Sequence, residues 1–205
     1  MKKLFVFALL VAVMASCSDD AGNNNENQDF FEIAEGNLWV YQRYYVSPTG
    51  TESTYGEIDS VRVTGQQVVD GETYFKFNQR KYSGSGSLHE ERVELLRVSE
   101  EGRLVNDYGF VMHPGGDAAY QFVRPVQTGT MTYQLEEMSN VIIEGQNYTV
   151  SPYAGYYTPA PDVNYLPGIG ELISYAEGIG KIVHRCRYLN SEAYFEDRLI
   201  YYELN

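Results

Sequence analysis

Between Phe30 and Asn205 the chain consists of short runs of β-branched and aromatic residues that alternate with polar residues and end at Gly, Asn, Asp or Pro. A period of two is typical of strands with one buried face, and no stretch keeps a helical period for long. We therefore predict a mostly β protein of roughly ten antiparallel strands with little helix, in a curved sheet that forms an incomplete barrel or a sandwich. A short helix over residues 171–177 ranks below an irregular connection, because the segment is too brief to stabilise one.

Several turns can be placed from sequence. Asp70-Gly71 lies between two strand-like runs and favours a type I′ turn, because both central positions of that turn need positive φ. Residues 144–147 separate a second pair of strand-like runs, and the Gly/Ser segment 83–87 is short enough for a hairpin loop. Each of these segments predicts a hairpin.

Residues 151–166 contain four tyrosines among prolines, so we predict a long loop rather than a central strand. Tyrosine-rich loops supply rigid contact area at low entropic cost, and long loops are often functional. Two alternatives remain open: the loop contacts a ligand or partner, or it folds back and plugs one end of the sheet. The predicted ligand-binding residues are Trp39, Tyr153, Tyr156, Tyr157 and Tyr165.

The first residues have a different pattern. Lys2 and Lys3 precede an apolar run that ends in small residues before Cys17. The run is shorter than the roughly 20 residues that a membrane-spanning helix needs. We predict a signal peptide over residues 1–16.

Met14-Ala15-Ser16-Cys17 resembles the lipobox of bacterial lipoproteins, and the following Ser18-Asp19-Asp20 resembles the start of surface lipoproteins of the Bacteroidota. The resemblance implies fatty acyl chains on Cys17, cleavage before it, and an outer-membrane protein displayed at the cell surface. Several acyl chains hold a membrane stably where one is marginal. Residues 17–29 would form a tether that, if flexible, spans roughly 20 Å.

Two further motifs, Gly36 to Tyr41 (GNLWVY) and Tyr175 to Val183 (YAEGIGKIV), resemble a pattern in uncharacterised extracytoplasmic bacterial lipoproteins. The resemblance is loose but spans the domain. It implies a curved antiparallel sheet or half-barrel, similar to carriers of lipoproteins and other apolar cargo. It transfers no catalytic residues.

Charge limits the partners. The chain has 15 basic and 28 acidic residues, a net charge of −13. Nucleic-acid binding needs clustered Lys and Arg to neutralise phosphates, so we exclude nucleic-acid-binding proteins.

Residues 30–205 contain no linker-like change in composition and are predicted to form a single domain.

The sequence offers no strong catalytic or metal signature. His89, His113 and His184 lie far apart, and neither a G-x-S-x-G elbow nor a zinc helix motif occurs. We therefore predict no enzyme, no cofactor and no metal. His113 and Asp117 flank a Pro-Gly-Gly turn that could bring them together, although turn chemistry alone explains the segment.

Once Cys17 carries lipid, Cys186 is the remaining thiol. Alternation places Ile182, His184 and Cys186 on one strand face. A nucleophilic cysteine beside His184 is the weaker interpretation, and we predict that Cys186 is a small buried core residue.

Asp59-Ser60-Val61 resembles the short O-glycosylation site of exported Bacteroidota proteins, with Ser60 as acceptor. Its place in a predicted strand argues against modification unless that strand lies at an edge.

The hypothesis that follows is a lipid-anchored binding module that carries an apolar or lipid-like ligand in the groove of a curved sheet, with Trp39 and the loop from Tyr153 to Tyr165 at its mouth. The alternative is a surface adaptor that contacts a glycan or an envelope protein through exposed tyrosines. A cavity inside the sheet would favour the first, and exposed loop tyrosines the second.

Overall fold

Thirteen antiparallel strands form one continuous sheet in the computed structural model, which describes residues 30–205. The strands are β1 Leu38–Val46, β2 Glu52–Val69, β3 Glu72–Tyr82, β4 Leu88–Val98, β5 Leu104–Asn106, β6 Val111–His113, β7 Gln121–Val126, β8 Gly129–Leu135, β9 Ser139–Ile143, β10 Gln146–Pro159, β11 Gly168–Ala176, β12 Gly180–Arg187 and β13 Tyr194–Glu203. The all-β prediction is confirmed. The predictions of a signal peptide over 1–16, of lipidated Cys17 and of a tether over 17–29 concern residues outside the described range.

The strand order is β6-β5-β4-β3-β2-β1-β13-β12-β11-β10-β8-β7, with β9 paired to the first part of β10. Strands β6 and β7 end the sheet and are not paired with each other within residues 30–205, so the sheet is not closed into a barrel. Its two halves nevertheless face each other, because Leu96 and Leu104 on one half share a core cluster with Ile173 and Tyr175 on the other. Of the two predicted architectures, the curved sheet forms an incomplete barrel.

The predicted hairpins are present. Asp70 and Gly71 have φ of 51° and 88°, and Glu144 and Gly145 have φ of 49° and 80°. Positive φ at both central positions matches a type I′ turn, which follows the natural twist of paired strands. The Gly/Ser segment 83–87 connects β3 to β4 as a loop.

The prediction of a loop over residues 151–166 is wrong for most of its length. Strand β10 continues to Pro159 and lies centrally, between β8 and β11. Pro152 fits because it sits where β10 changes partner: pairing with β9 ends at Val150, and pairing with β8 begins at Tyr153. Proline has no N–H to donate, and at this junction its absence removes no hydrogen bond between strands. Pro159 is tolerated because it lies at the end of the strand.

Residues 171–177 form neither a helix nor an irregular connection. Most of them belong to β11, which pairs with β10 on one side and β12 on the other. Pairing on both sides outweighs the weak local preference, as is common for strands inside a sheet.

Three clusters of buried side chains stabilise the sheet. The largest contains Trp39, Tyr41, Val63, Val150 and Ile182 among its members. The described strands and clusters all lie within residues 30–205, and their long-range pairing and packing are the interactions expected to hold this segment folded.

Candidate functional site

A cavity of about 170 Å³ lies between the facing halves of the sheet. Part of its lining is apolar and comes from adjacent strands: Trp39 on β1, Val61 on β2, Phe77 on β3 and Leu96 on β4. These residues reach one side because alternate residues of each strand point to the same face. The rings of Trp39 and Phe77 stack with centroids 5.9 Å apart and planes 14° from parallel.

The segment before β1 supplies another part of the wall. Phe31 and Ile33 line the cavity, and Phe31 is buried. The Phe31 ring meets the Tyr175 ring edge-on, with centroids 5.6 Å apart. The first described residues of the chain are therefore part of the site.

Polar and charged residues also line the cavity. They are Gln79, Arg92, Glu94, Glu171, Lys181 and His184, and some of them lie on the same strands as the apolar residues. The cavity thus combines an aromatic and aliphatic lining with charged groups of both signs. This pattern of a mostly apolar pocket with a few polar groups is typical of small-molecule sites.

Glu171, His184 and Cys186 form a polar cluster at one edge of the cavity. Glu171 Oε1 lies 2.9 Å from His184 Nε2, and Cys186 Sγ lies 3.4 Å from the same nitrogen. The three side chains meet because Glu171 on β11 pairs directly with Cys186 on β12, while His184 is two residues before Cys186 on the same face. The ligand atoms of all three lie within 4.8 Å of one another.

Two further residues extend this cluster. The Tyr133 hydroxyl donates to Glu171 Oε2 over 2.6 Å, and Arg124 Nη2 donates to the Tyr133 oxygen over 2.9 Å. Burial alone would raise the pKa of Glu171, but the bonds from His184 and Tyr133 lower it below its ordinary value. Burial alone would lower the pKa of His184, whereas its contacts with Cys186 and Glu171 raise it to about 9. Sequence reasoning missed Glu171 and Tyr133.

The prediction that Cys186 is buried is wrong, because its side chain is exposed. The predicted alternation of β12 is nevertheless present, since Ile182 is fully buried and His184 half-buried on the same face. Burial decreases along this face towards Cys186.

His113 is fully buried in a different environment. Its ring stacks on Phe30 with centroids 5.1 Å apart and lies 4.8 Å from the Tyr175 ring. Nδ1 accepts a hydrogen bond from the Gly115 main-chain nitrogen over 3.1 Å, and Nε2 lies 3.3 Å from the Ser151 carbonyl oxygen. Burial lowers the pKa of His113 to about 4, although the bond to Ser151 acts in the opposite direction.

The pairing of His113 with Asp117 that the turn could have allowed is not formed. Asp117 instead accepts a hydrogen bond from Arg103 Nη2 over 2.9 Å. The Pro-Gly-Gly segment is a turn, as its residue types indicate.

The structure places the predicted ligand-binding residues in two groups. Trp39 lines the cavity. Tyr153 and Tyr157 are buried, with 2% and 1% of their surface exposed, and Tyr156 and Tyr165 are half-buried. Tyr153 lines a neighbouring cavity of about 140 Å³, which shares Glu171 with the first.

Ser60 lies in β2, where it pairs with Val40 of β1 and Arg80 of β3. This strand is not at an edge of the sheet. Glycosylation of Ser60 stays a prediction.

These observations define a class: an open, curved antiparallel sheet with a mixed apolar and charged cavity on its concave side. One solved structure similar to it is a protein of Bacteroides fragilis, inferred to be exported, with a YMCC-like fold. The two share 14% sequence identity with a TM-score of 0.53, over 85% of this chain and 99% of the other. At this identity the likeness concerns the fold.

A second similar structure is an inferred lipoprotein of Parabacteroides distasonis, with 12% identity and a TM-score of 0.49 over 85% of this chain and 98% of the other. No protein-family model matches the chain, and no curated protein matches it. Residues 30–205 include no helix of the length and apolar character needed to cross a membrane.

Proposed function

We propose that this protein is a lipid-anchored, extracytoplasmic binding module of the outer membrane, displayed at the cell surface, and that it holds a small apolar or amphipathic ligand. The observation that carries the proposal is the cavity on the concave face, which is lined both by Trp39 and Phe77 and by charged residues. A binding role needs no further chemistry, so we propose a binding protein rather than an enzyme.

The size of the cavity limits the ligand. Its volume of about 170 Å³ lies below the roughly 300–1,000 Å³ of pockets for drug-sized molecules. A protein cavity of about 150 Å³ lined by aliphatic and aromatic residues accommodates benzene. The part of the ligand inside the sheet is therefore about the size of one aromatic ring or a short alkyl chain.

The mixed lining limits how a ligand can bind. Its apolar part would pack against Trp39 and Phe77, where burial of apolar area contributes about 25 cal/mol per Å². A polar group would be paired with Lys181, Arg92 or Glu171. Polar groups of the ligand are expected to be paired there, because leaving a charged group unpaired in such a site costs several kcal/mol.

The position of the cavity in the chain supports a role near a membrane. Phe31, on its wall, follows Cys17 by 14 positions. A chain of that length reaches at most about 50 Å when fully extended. The resemblance of residues 14–20 to surface lipoproteins, together with a fold shared with a protein inferred to be exported, supports an extracytoplasmic location.

The structure gives less support to the alternative, an adaptor that contacts a glycan or an envelope protein through tyrosines of residues 151–166. Tyr153 and Tyr157 are buried and cannot contact a partner without unfolding β10. Exposed tyrosines occur elsewhere, at Tyr55, Tyr108, Tyr188 and Tyr201, but on separate strands and turns.

A nuclear magnetic resonance titration tests the proposal. Trp39 is the only tryptophan, so its indole N–H signal reports on the cavity wall without assignment of other residues. We expect benzyl alcohol, which has one aromatic ring and one polar group, to shift this signal saturably in residues 30–205.

A cavity-filling variant provides the contrast. Val61→Phe adds a ring at the cavity wall and is expected to remove the shift, whereas Val68→Phe changes an exposed residue of the same strand and is expected to keep it. No saturable shift in the wild type, or equal shifts in both variants, would exclude the cavity as the binding site.

A further inference from the structure

We propose that Glu171, His184 and Cys186 form a binding site for a divalent transition metal of the zinc type. The three residues offer a carboxylate oxygen, an imidazole nitrogen and a thiolate sulfur, which are the donor types that hold zinc in proteins. Three protein ligands with one position left to water is also a common arrangement at zinc. The proposal departs from the sequence-based expectation of no metal and does not depend on a ligand in the cavity.

The donor atoms lie near the separations that an ion placed among them requires. Zinc binds sulfur at about 2.3 Å and nitrogen or oxygen at about 2.0–2.2 Å, so tetrahedral donors lie about 3.3–3.6 Å apart. His184 Nε2 lies 2.9 Å from Glu171 Oε1 and 3.4 Å from Cys186 Sγ. Small rotations of the Glu171 side chain would open the shorter distance to the required value.

The arrangement also differs from a catalytic triad. In a triad the nucleophile and the orienting carboxylate contact different nitrogens of the histidine. Here both Glu171 and Cys186 approach the same nitrogen, His184 Nε2. Convergence of three donors on one point is the geometry of coordination rather than of proton relay.

A second layer of residues already orients one of the donors. The Tyr133 hydroxyl bonds Glu171 Oε2, which leaves Oε1 directed at His184, and Arg124 in turn bonds the Tyr133 oxygen. Outer contacts of this kind fix the direction of a ligating carboxylate and raise metal affinity.

The charges around the cluster are balanced for a dication. A Cys186 thiolate and the Glu171 carboxylate together neutralise a charge of two. Among the charged groups near the cluster, Lys181 and Arg124 are unfavourable to a cation, while the charge of Asp197, opposite His184 across β12 and β13, is already paired with Arg43. Because Cys186 is exposed, an ion has access from solvent.

Titration with Co²⁺ provides the first test. We use residues 30–205, in which Cys186 is the only cysteine, in metal-free buffer under reducing conditions without added thiol. We expect one equivalent of Co²⁺ to bind and to produce a near-ultraviolet thiolate-to-cobalt charge-transfer band. Zn²⁺ is expected to displace the cobalt and remove the band.

Calorimetric titration with Zn²⁺ then separates a three-residue site from a single thiol. Loss of an outer contact typically weakens metal binding roughly 10–100-fold, and we expect a loss in that range for Tyr133→Phe. We expect a larger loss of Zn²⁺ affinity for each variant of a ligand residue: Cys186→Ser, His184→Ala and Glu171→Gln. His89→Ala, at an exposed histidine on β4, is the matched control and is expected to bind like the wild type. Circular dichroism checks that each variant is folded.

Three results would overturn the proposal. The first is the absence of a charge-transfer band. The second is wild-type affinity in His184→Ala or Glu171→Gln, which would show that the thiol alone binds the metal. The third is a loss of affinity in His89→Ala equal to that in the variants of the site.

Discussion

The indole nitrogen of Trp39 donates a hydrogen bond to the main-chain oxygen of Ile179 over 2.6 Å, joining residues 140 positions apart. Tyr41, two residues further along β1, donates from its hydroxyl to the Lys181 carbonyl oxygen over 3.0 Å. These bonds connect the two motifs that the sequence singled out, GNLWVY and YAEGIGKIV. Two side chains of β1 thereby hold the turn between β11 and β12 at the wall of the cavity.

Replacing Trp39 with Phe keeps an aromatic ring but removes the donor. We expect the free energy of unfolding to fall by about 1–3 kcal/mol, because the Ile179 oxygen loses its partner in a partly buried place. Urea unfolding followed by circular dichroism measures the change. Tyr201→Phe, at an exposed residue of β13, is the control, and an equal change in both variants would contradict the role of the bond.

A side chain at position 180 is expected to destabilise the fold. Its φ is +107°, and a Cβ placed there would lie 3.3 Å from the Trp39 indole nitrogen. Backbone strain of this kind costs about 1–3 kcal/mol, so Gly180→Ala is expected to destabilise the fold by that amount in urea unfolding.

Gly116→Ala provides the comparison for that measurement. Gly116 has no positive φ, and nothing lies within 4 Å of the Cβ position. We expect its free energy of unfolding to stay within about 0.5 kcal/mol of the wild type. If both glycine variants behaved alike, a special requirement at Gly180 would be excluded.

His113 is expected to make stability depend on pH. Its folded-state pKa of about 4 lies below the ordinary value of 6.5, so the unfolded chain binds the proton more tightly. Stability from this residue is therefore fully present above pH 6.5 and is lost as pH falls towards 4, by about 3 kcal/mol in total. Protonation of Nδ1 would also remove the hydrogen bond that Nδ1 accepts from the Gly115 N–H, because both atoms would then be donors.

The measurement is urea unfolding at a series of pH values between 4 and 7 for the wild type and His113→Gln. The carboxylates titrate in both proteins, so the difference between the two curves isolates His113. We expect the wild type to lose stability more steeply on acidification, and parallel curves would show that His113 does not contribute.

The sequence predicted those parts of the fold that depend on local chemistry. Alternation identified most strands, and the residue types at 70–71 and 144–145 required the turns that form there. The prediction for 151–166 was wrong because its three prolines, at 152, 159 and 161, look like strand breakers unless the partner strands are known. Only the change of pairing from β9 to β8 makes Pro152 acceptable.

The candidate site was less predictable for a similar reason. The spacing of His184 and Cys186 was visible in sequence, but Glu171 joins them only through the register of β11 against β12. That register shifts between Ser174 and Tyr175, so counting back from the turn does not reach the right residue. Tyr133 comes from β8, two strands away in the sheet. Long-range pairing, which a single sequence does not display, assembles both the cavity and the cluster.

The ion pair between Arg43 and Asp197 provides the last prediction. Arg43 Nε and Nη2 donate to the two Asp197 oxygens over 2.7 and 2.8 Å, between adjacent strands β1 and β13. Burial alone would raise the pKa of Asp197, but the bonds from Arg43 lower it below its ordinary value. Arg43→Met would leave this buried carboxylate unpaired, so we expect a loss of about 2–4 kcal/mol in the free energy of unfolding. Adding Asp197→Leu removes the unpaired charge and is expected to restore part of the lost stability.

Arg80→Met is the control. It breaks the exposed pair with Glu91 and is expected to change stability little, because solvent screens that interaction. An Arg43→Met protein as stable as Arg80→Met in urea would show that the central pair does not stabilise the sheet.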